Sequence, residues 1–170
     1  MNDFFAGLDV STQGQKIVII DLEKRSVIYS DSINYDIDLP KYNTLNGVLK
    51  DTDFGVSESN PNMWIDSLHL LFERLKTSSD IIQSIKAISI AGQQHGLVAI
   101  DKDGNLAKST SKLWNDFSTA EECEILTKEI GGSEQMIHAV ANSQRTGYTA
   151  SKIFHMYRNC LLYTSPSPRD

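Results

Sequence analysis

The sequence predicts an α/β fold, and three observations carry that reading. Three runs rich in Ile and Val, Phe4 to Val10, Lys16 to Asp21 and Ser26 to Ile33, follow one another with only tight polar breaks between them, as in a β-meander. A stretch of helical period comes next, from Asn60 to Leu75. A further apolar run, Ile85 to Ala91, reads as another strand, expected to be buried.

The first break, Ser11-Thr12-Gln13-Gly14-Gln15, holds a glycine for a turn position with positive φ, and Glu23-Lys24-Arg25 makes the second turn. Tyr35 to Pro61 shows no sustained period and many Asp, Asn, Ser and Gly residues, which predicts a long surface excursion of the kind that binds, closes over a site or moves. Asn60 with Pro61 behind it starts the helix, whose apolar face is expected to be Trp64, Ile65, Leu68, Leu71, Phe72 and Leu75. After the strand at Ile85, a polar corner Gly92 to Gly96 leads to a second expected strand, Leu97 to Ile100, and the turn Asp101 to Gly104. Ser118 and Glu121 have capping-box spacing ahead of Ala120, Cys123, Leu126 and Ile130, and Gly131-Gly132 closes that helix. A short helix over Glu134 to Val140 and a last one from about Ser151 complete the pattern, and no internal repeat is visible.

A chain of 170 residues can bury one core of ordinary domain size. The net charge of −6 is spread without a basic stripe, which argues against a nucleic-acid partner and for a small-molecule one. No apolar run reaches the ~18 residues that would span a bilayer, and the N-terminus lacks the basic start of a signal peptide. The expectation is a cytoplasmic protein with no membrane partner. Cys123 and Cys160 have neither CxxC nor CxxH spacing, so no disulfide framework or zinc site is expected, and Cys123 reads as a small buried hydrophobe. The last eleven residues, CLLYTSPSPRD, break the final helix and switch to Ser and Pro. The peptide translates in full from the read-through of a common transposase-type sequencing adaptor. The expectation is that native sequence ends near Asn159 and that residues 160–170 are a non-native tail.

Two segments carry chemistry. Gly7 to Lys16 sets a carboxylate, Asp9, at a strand end, followed by the hydroxyls of Ser11 and Thr12 and a glycine in a tight turn. Such a turn lets backbone N–H groups and hydroxyls approach phosphate oxygens while the carboxylate holds Mg²⁺ directly or through water. The same residues also fit an ordinary hairpin with a polar turn. Ala91 to Gly96, AGQQHG, places two amides and an imidazole between two glycines at a sheet edge, which suits a polyhydroxy ligand and equally a turn that caps its own backbone. Leu113-Trp114-Asn115-Asp116 adds an aromatic and an acid, with Trp114 either core or pocket wall.

In their order, GLDVSTQGQKIVIID, ISIAGQQHGLVAID, LWNDFSTAEEC and GYTASKI resemble the N-terminal domain of the FGGY carbohydrate kinases, closest to the eukaryote-like xylulokinase branch. The resemblance covers about Phe5 to Arg158, with AGQQHG its most specific part; DLPKYNTLNGV also resembles the excursion of that branch. It implies a ribonuclease-H-like (actin-like ATPase) N-terminal domain over residues 1–159, with a C-terminal domain absent. It further implies ATP and Mg²⁺ as cofactors and transfer of phosphate to D-xylulose. Another FGGY kinase acting on a different pentulose, a polyol or gluconate, or a non-catalytic sugar or nucleotide sensor, stays open. Carried over, Asp9 would hold the metal shell, Ser11, Thr12 and Gln13 would bind phosphate, and Gln94, His95, Trp114 and Asp116 would line the sugar side. Ser118 stands where many relatives have Arg. The family's catalytic Asp would lie beyond residue 159, so the chain alone is expected to be inactive; a homodimer of the full-length protein is left open.

Overall fold

The computed structural model describes residues 3–78 and 80–159, and the tail, with Cys160, lies outside the described residues. The chain divides into two compact units, Met1–Asp51 with Ser59–Gln94, and Thr52–Glu58 with His95–Asp170.

The first unit is built on a four-stranded sheet. Strands β1 (Phe4–Val10), β2 (Gly14–Asp21) and β3 (Ser26–Asn34) form the expected antiparallel meander. After the short helix α1 (Tyr35–Asp38), the strands β4 (Thr44–Leu45), β5 (Val48–Leu49) and β6 (Glu58–Ser59), and the long helix α2 (Pro61–Ser78), strand β7 (Ile85–Gly92) joins β1 in parallel. The sheet order is β3-β2-β1-β7. Phe4, Ala6 and Leu8 of β1 alternate inward with Ile17 and Ile19 of β2, and with Ile33 they meet Met63, Leu71 and Leu75 of α2 in one apolar core. Each fully buried Leu or Ile contributes about 1.5–3 kcal/mol relative to exposure.

Three sequence expectations are corrected in this unit. On α2 the expected face is kept at Leu71 and Leu75, fully buried, and at Trp64, Leu68 and Phe72, packed against the core, but Ile65 is 52% exposed and Met63 and Ser67 take fully buried places. Ser67 can occupy the core because its hydroxyl bonds Gln15 Oε1 and donates to Trp64 O at 2.9 Å. Strand β7, expected to be buried, is exposed beyond Ile85, with Ile88 and Ile90 open on the surface. Finally, Tyr35 to Asp51 is no free excursion. Asn34 caps α1 by accepting from Ile37 N, and the Asp36 carboxylate accepts from Asn46 N (2.6 Å), Gly47 N (3.0 Å) and Thr44 Oγ1 (2.7 Å), closing the β4–β5 hairpin. Tyr42 donates to Asp66 (2.6 Å) and Arg74 to Asp38 (2.6 Å), which tie the segment to α2.

The second unit carries β8 (Ser111–Lys112) and helices α3 (Ala120–Glu129), α4 (Ser133–Val140) and α5 (Thr149–Asn159). The expected strand Leu97 to Ile100 is reduced to two isolated bridges, Leu97 with Lys112 and Ile100 with Leu106. Asp101 closes its turn as expected, accepting from Asp103 N and Asn105 N, both at 2.9 Å. Thr119, not Ser118, precedes α3, because the Ser118 hydroxyl is engaged by Asp116. The glycine closure of α3 holds: Gly132, at φ 105°, donates to Thr127 O at 2.8 Å. Cys123 is a half-buried free thiol rather than a fully buried one. Arg158 of α5 clamps α3 through Glu122 (2.9 Å) and Glu121 (2.7 Å).

The place of Ile65 on α2 is testable by urea unfolding. Leu71→Ala should cost about 2–5 kcal/mol, and Ile65→Ala should stay within about 0.5 kcal/mol; a loss for Ile65→Ala as large as that for Leu71→Ala would put Ile65 back on the buried face expected from the sequence.

Candidate functional site

The first unit brings the expected phosphate turn and the start of the polar corner to one end of its sheet. Parallel pairing sets Asp9 opposite Ala91 and Val10 opposite Gly92. Asp9 is exposed, and on its other side it pairs with the exposed Lys16. A side chain at Gly7, two residues earlier on the same face, would meet nothing within 4 Å, so the space in front of the carboxylate is open. In the turn itself, Ser11 N and Ser11 Oγ both reach Gly14 O at 3.0 Å. Gln13 is exposed, and its carbonyl accepts from Tyr35 N at 3.1 Å.

Two residues to which the sequence reading gave no part in this turn shape it. Gln93 donates from Nε2 to Ser11 O at 3.3 Å and accepts from Thr12 Oγ1 at 3.2 Å. The carbonyl can only accept, so this pairing fixes which way the amide points. Gly47, at φ 76°, lies so close that a Cβ there would run into Thr12 O, so the β4–β5 hairpin backs directly on the turn. A Gly at the tip of an Asn-Gly hairpin was legible as a turn; its closeness to Thr12 was not. Gln94 is exposed at the unit's end.

The second unit gathers the other expected residues. His95 is half-buried in the left-handed region, φ 63°, with its ring centroid 4.6 Å from that of Tyr148. Trp114 is 50% exposed, and its carbonyl would lie 2.6 Å from a Cβ on Gly147, so the Trp114 and Gly147 backbones are in contact. Asp116 is different, having no exposed surface. Its Oδ2 accepts from Ser57 N (2.9 Å) and Lys112 Nζ (3.2 Å), and its Oδ1 from Ser118 Oγ (2.7 Å) and Ser118 N (3.2 Å). Burial alone would raise its pKa, but Ser118, the Ser57 N–H and Lys112 outweigh that and hold the carboxyl below its ordinary value. Lys112 also donates to Ser118 Oγ at 2.6 Å, so the serine found in place of Arg is part of this network.

The sequence profile of the FGGY family of carbohydrate kinases, N-terminal domain, matches residues 4–160, and the chain belongs to that family. It is 37% identical to the xylulose kinase of Schizosaccharomyces pombe, over 88% of this chain and 29% of the relative, and 33% identical to that of Rattus norvegicus, over 87% and 32%. Among solved structures it is similar to a "xyloylose kinase" from Brucella ovis, with a TM-score of 0.75, 25% identity, and 92% of this chain against 29% of that one covered. The chain thus spans about a third of the length of the curated relatives it matches. The neighbours share the expected actin-like sugar-kinase fold.

Asp116 gives a pH-dependent test of its burial. A carboxyl with a depressed folded-state pKa contributes stability that is fully present above its unfolded value and lost as pH falls through the folded one. Asp116→Asn should therefore cost about 1–3 kcal/mol at pH 7, and the gap to the parent in thermal unfolding should shrink below about pH 4. A gap independent of pH would contradict the charged network.

Proposed function

We propose that the full-length protein transfers the γ-phosphoryl group of ATP to D-xylulose. The observation that carries this reading is the Gln93 bridge, which ties the Ser11-Thr12 turn to the start of the polar corner within one rigid sheet end. The names of the curated relatives support xylulose as the sugar. In this reading Ser11, Thr12 and Gln13 form the phosphate turn and Asp9 holds the metal shell. Gln94, His95 and the exposed Trp114 face the sugar. Asp116, whose oxygens are committed to Ser57, Lys112 and Ser118, holds its own segment together rather than touching sugar.

The oxygen donors at the turn suit a hard cation such as Mg²⁺. Among the described residues no three His, Cys, Asp or Glu side chains cluster closely enough to hold a metal; Asp9 is the carboxylate at this turn that would hold such a cation, directly or through water. Ser11 spends its proton on Gly14 O, so its oxygen offers a lone pair outward, which fits a metal-bound water better than a phosphate oxygen. When bound, Mg²⁺ supplies charge neutralisation on the phosphates. The base that takes the sugar hydroxyl proton is assigned to a residue beyond 159, and the isolated chain should show no turnover. No helix among the described residues is long and apolar enough to cross a membrane, which fits a cytoplasmic enzyme.

Two measurements test the proposal. In an ADP-release assay the full-length protein should show its highest kcat/KM with D-xylulose among D-xylulose, D-ribulose, glycerol and gluconate; a preference for gluconate or glycerol would overturn the substrate, and no turnover with any would favour a sensor. Asp9→Asn should lower kcat on the order of 100-fold while D-xylulose binding, followed by calorimetry, is retained; near-parental kcat would reduce Asp9 to a turn residue.

A further inference from the structure

Lys152 has none of the roles assigned above, yet it sits in the first turn of α5 with no exposed surface. Its ammonium donates to two backbone carbonyls, His95 O at 2.8 Å and Gly147 O at 2.7 Å. Withdrawing an ammonium from water is costly, and burial accordingly pulls the Lys152 pKa down, with the charge of Asp116 opposing that pull. A methionine would fill the same volume without the cost, so packing alone does not explain a cation there.

The two carbonyls share one property: each belongs to, or packs directly on, a residue proposed above to face the sugar. His95 holds a left-handed backbone that a residue with a Cβ keeps only when its surroundings enforce it. Lys152 fixes that backbone through the carbonyl, and Tyr148, four residues earlier, lies against the ring. Gly147, the second carbonyl, is the residue packed on the Trp114 backbone. The start of α5 therefore grips both main chain and ring of His95 and abuts Trp114.

We infer that Lys152 is a positioning residue for sugar binding, whose ammonium joins the His95 and Gly147 carbonyls and so sets the His95 ring and the Trp114 segment toward the same ligand. The inference rests on the reading of His95 as a sugar contact. Lys152 acts through His95 and touches no substrate. Its loss should therefore weaken the sugar and leave the nucleotide alone, unlike the loss of an ordinary core residue.

The test uses the full-length kinase and the variants His95→Ala, Lys152→Met, Lys152→Gln and the double variant His95→Ala with Lys152→Met. Lys152→Met should raise KM for D-xylulose about tenfold, equivalent to about 1.4 kcal/mol, with KM for ATP moved less than about twofold. Lys152→Gln keeps one donor in the slot and should fall between; it decides the matter if the methionine variant does not fold. The double variant should bind D-xylulose no worse than His95→Ala alone, because Lys152 has nothing left to position. Effects that multiply in the double variant, or Lys152 variants that lower the melting temperature and kcat with sugar KM unchanged, would overturn the inference alone. His95→Ala with unchanged sugar KM would overturn the sugar reading of His95 and this inference with it.

Discussion

The parallel pairing of β1 with β7 is the constraint on which the first unit's candidate chemistry depends. The pairing from Phe4 with Ile85 to Val10 with Gly92, irregular only between Phe4 and Phe5, delivers two segments far apart in sequence to one sheet end. Because side chains alternate along β1, the register that sends Phe4, Ala6 and Leu8 into the core leaves Gly7 and Asp9 on the open face. A slip by one residue would bury the Asp9 carboxylate and expose Leu8. The Gln93 amide then adds a specific tie across the end of the ladder, and Gly47 backs the turn from the hairpin side.

The meander, α2, β7 and the last two helices were legible because each rests on a local period or on turn glycines. So was the family, since the order of four short segments carries more information than any one of them. Polar residues acting at a distance were not legible. Asp36 organises a hairpin ten residues on, and nothing in DIDLPKYNTLNG shows a hydropathy period that would betray it. Met63 and Ser67 displace Ile65 from the buried face of α2 because Gln15, on a different strand, satisfies the serine. Leu97 to Ile100 reads as a strand by composition but finds only bridging partners.

What the sequence grouped together, the structure keeps local. Asp9 stands near the end of β1 just before the turn of Ser11, Thr12 and Gln13, and His95 and Trp114 both border the Gly147-Tyr148 segment. Asp116, by contrast, was chosen for its carboxylate, and that carboxylate is committed to Ser57, Lys112 and Ser118. Sequence alone cannot separate an acid that meets a ligand from one that holds a loop, since burial and donor geometry decide. Gln93 and Lys152 illustrate the converse. Each lies inside a segment that attracted notice without being singled out there, and each works through atoms of its neighbours.

The proposed chemistry requires the Asp9 to Gly14 segment to face metal and phosphate. Mn²⁺ bound with a non-hydrolysable ATP analogue to the full-length kinase, in place of Mg²⁺, reports this directly through paramagnetic broadening of backbone amide signals. Selective broadening of Asp9, Ser11, Thr12 and Gln13, absent when the nucleotide is omitted, is the predicted result. Sharp signals at these positions with broadening elsewhere in the domain would contradict it.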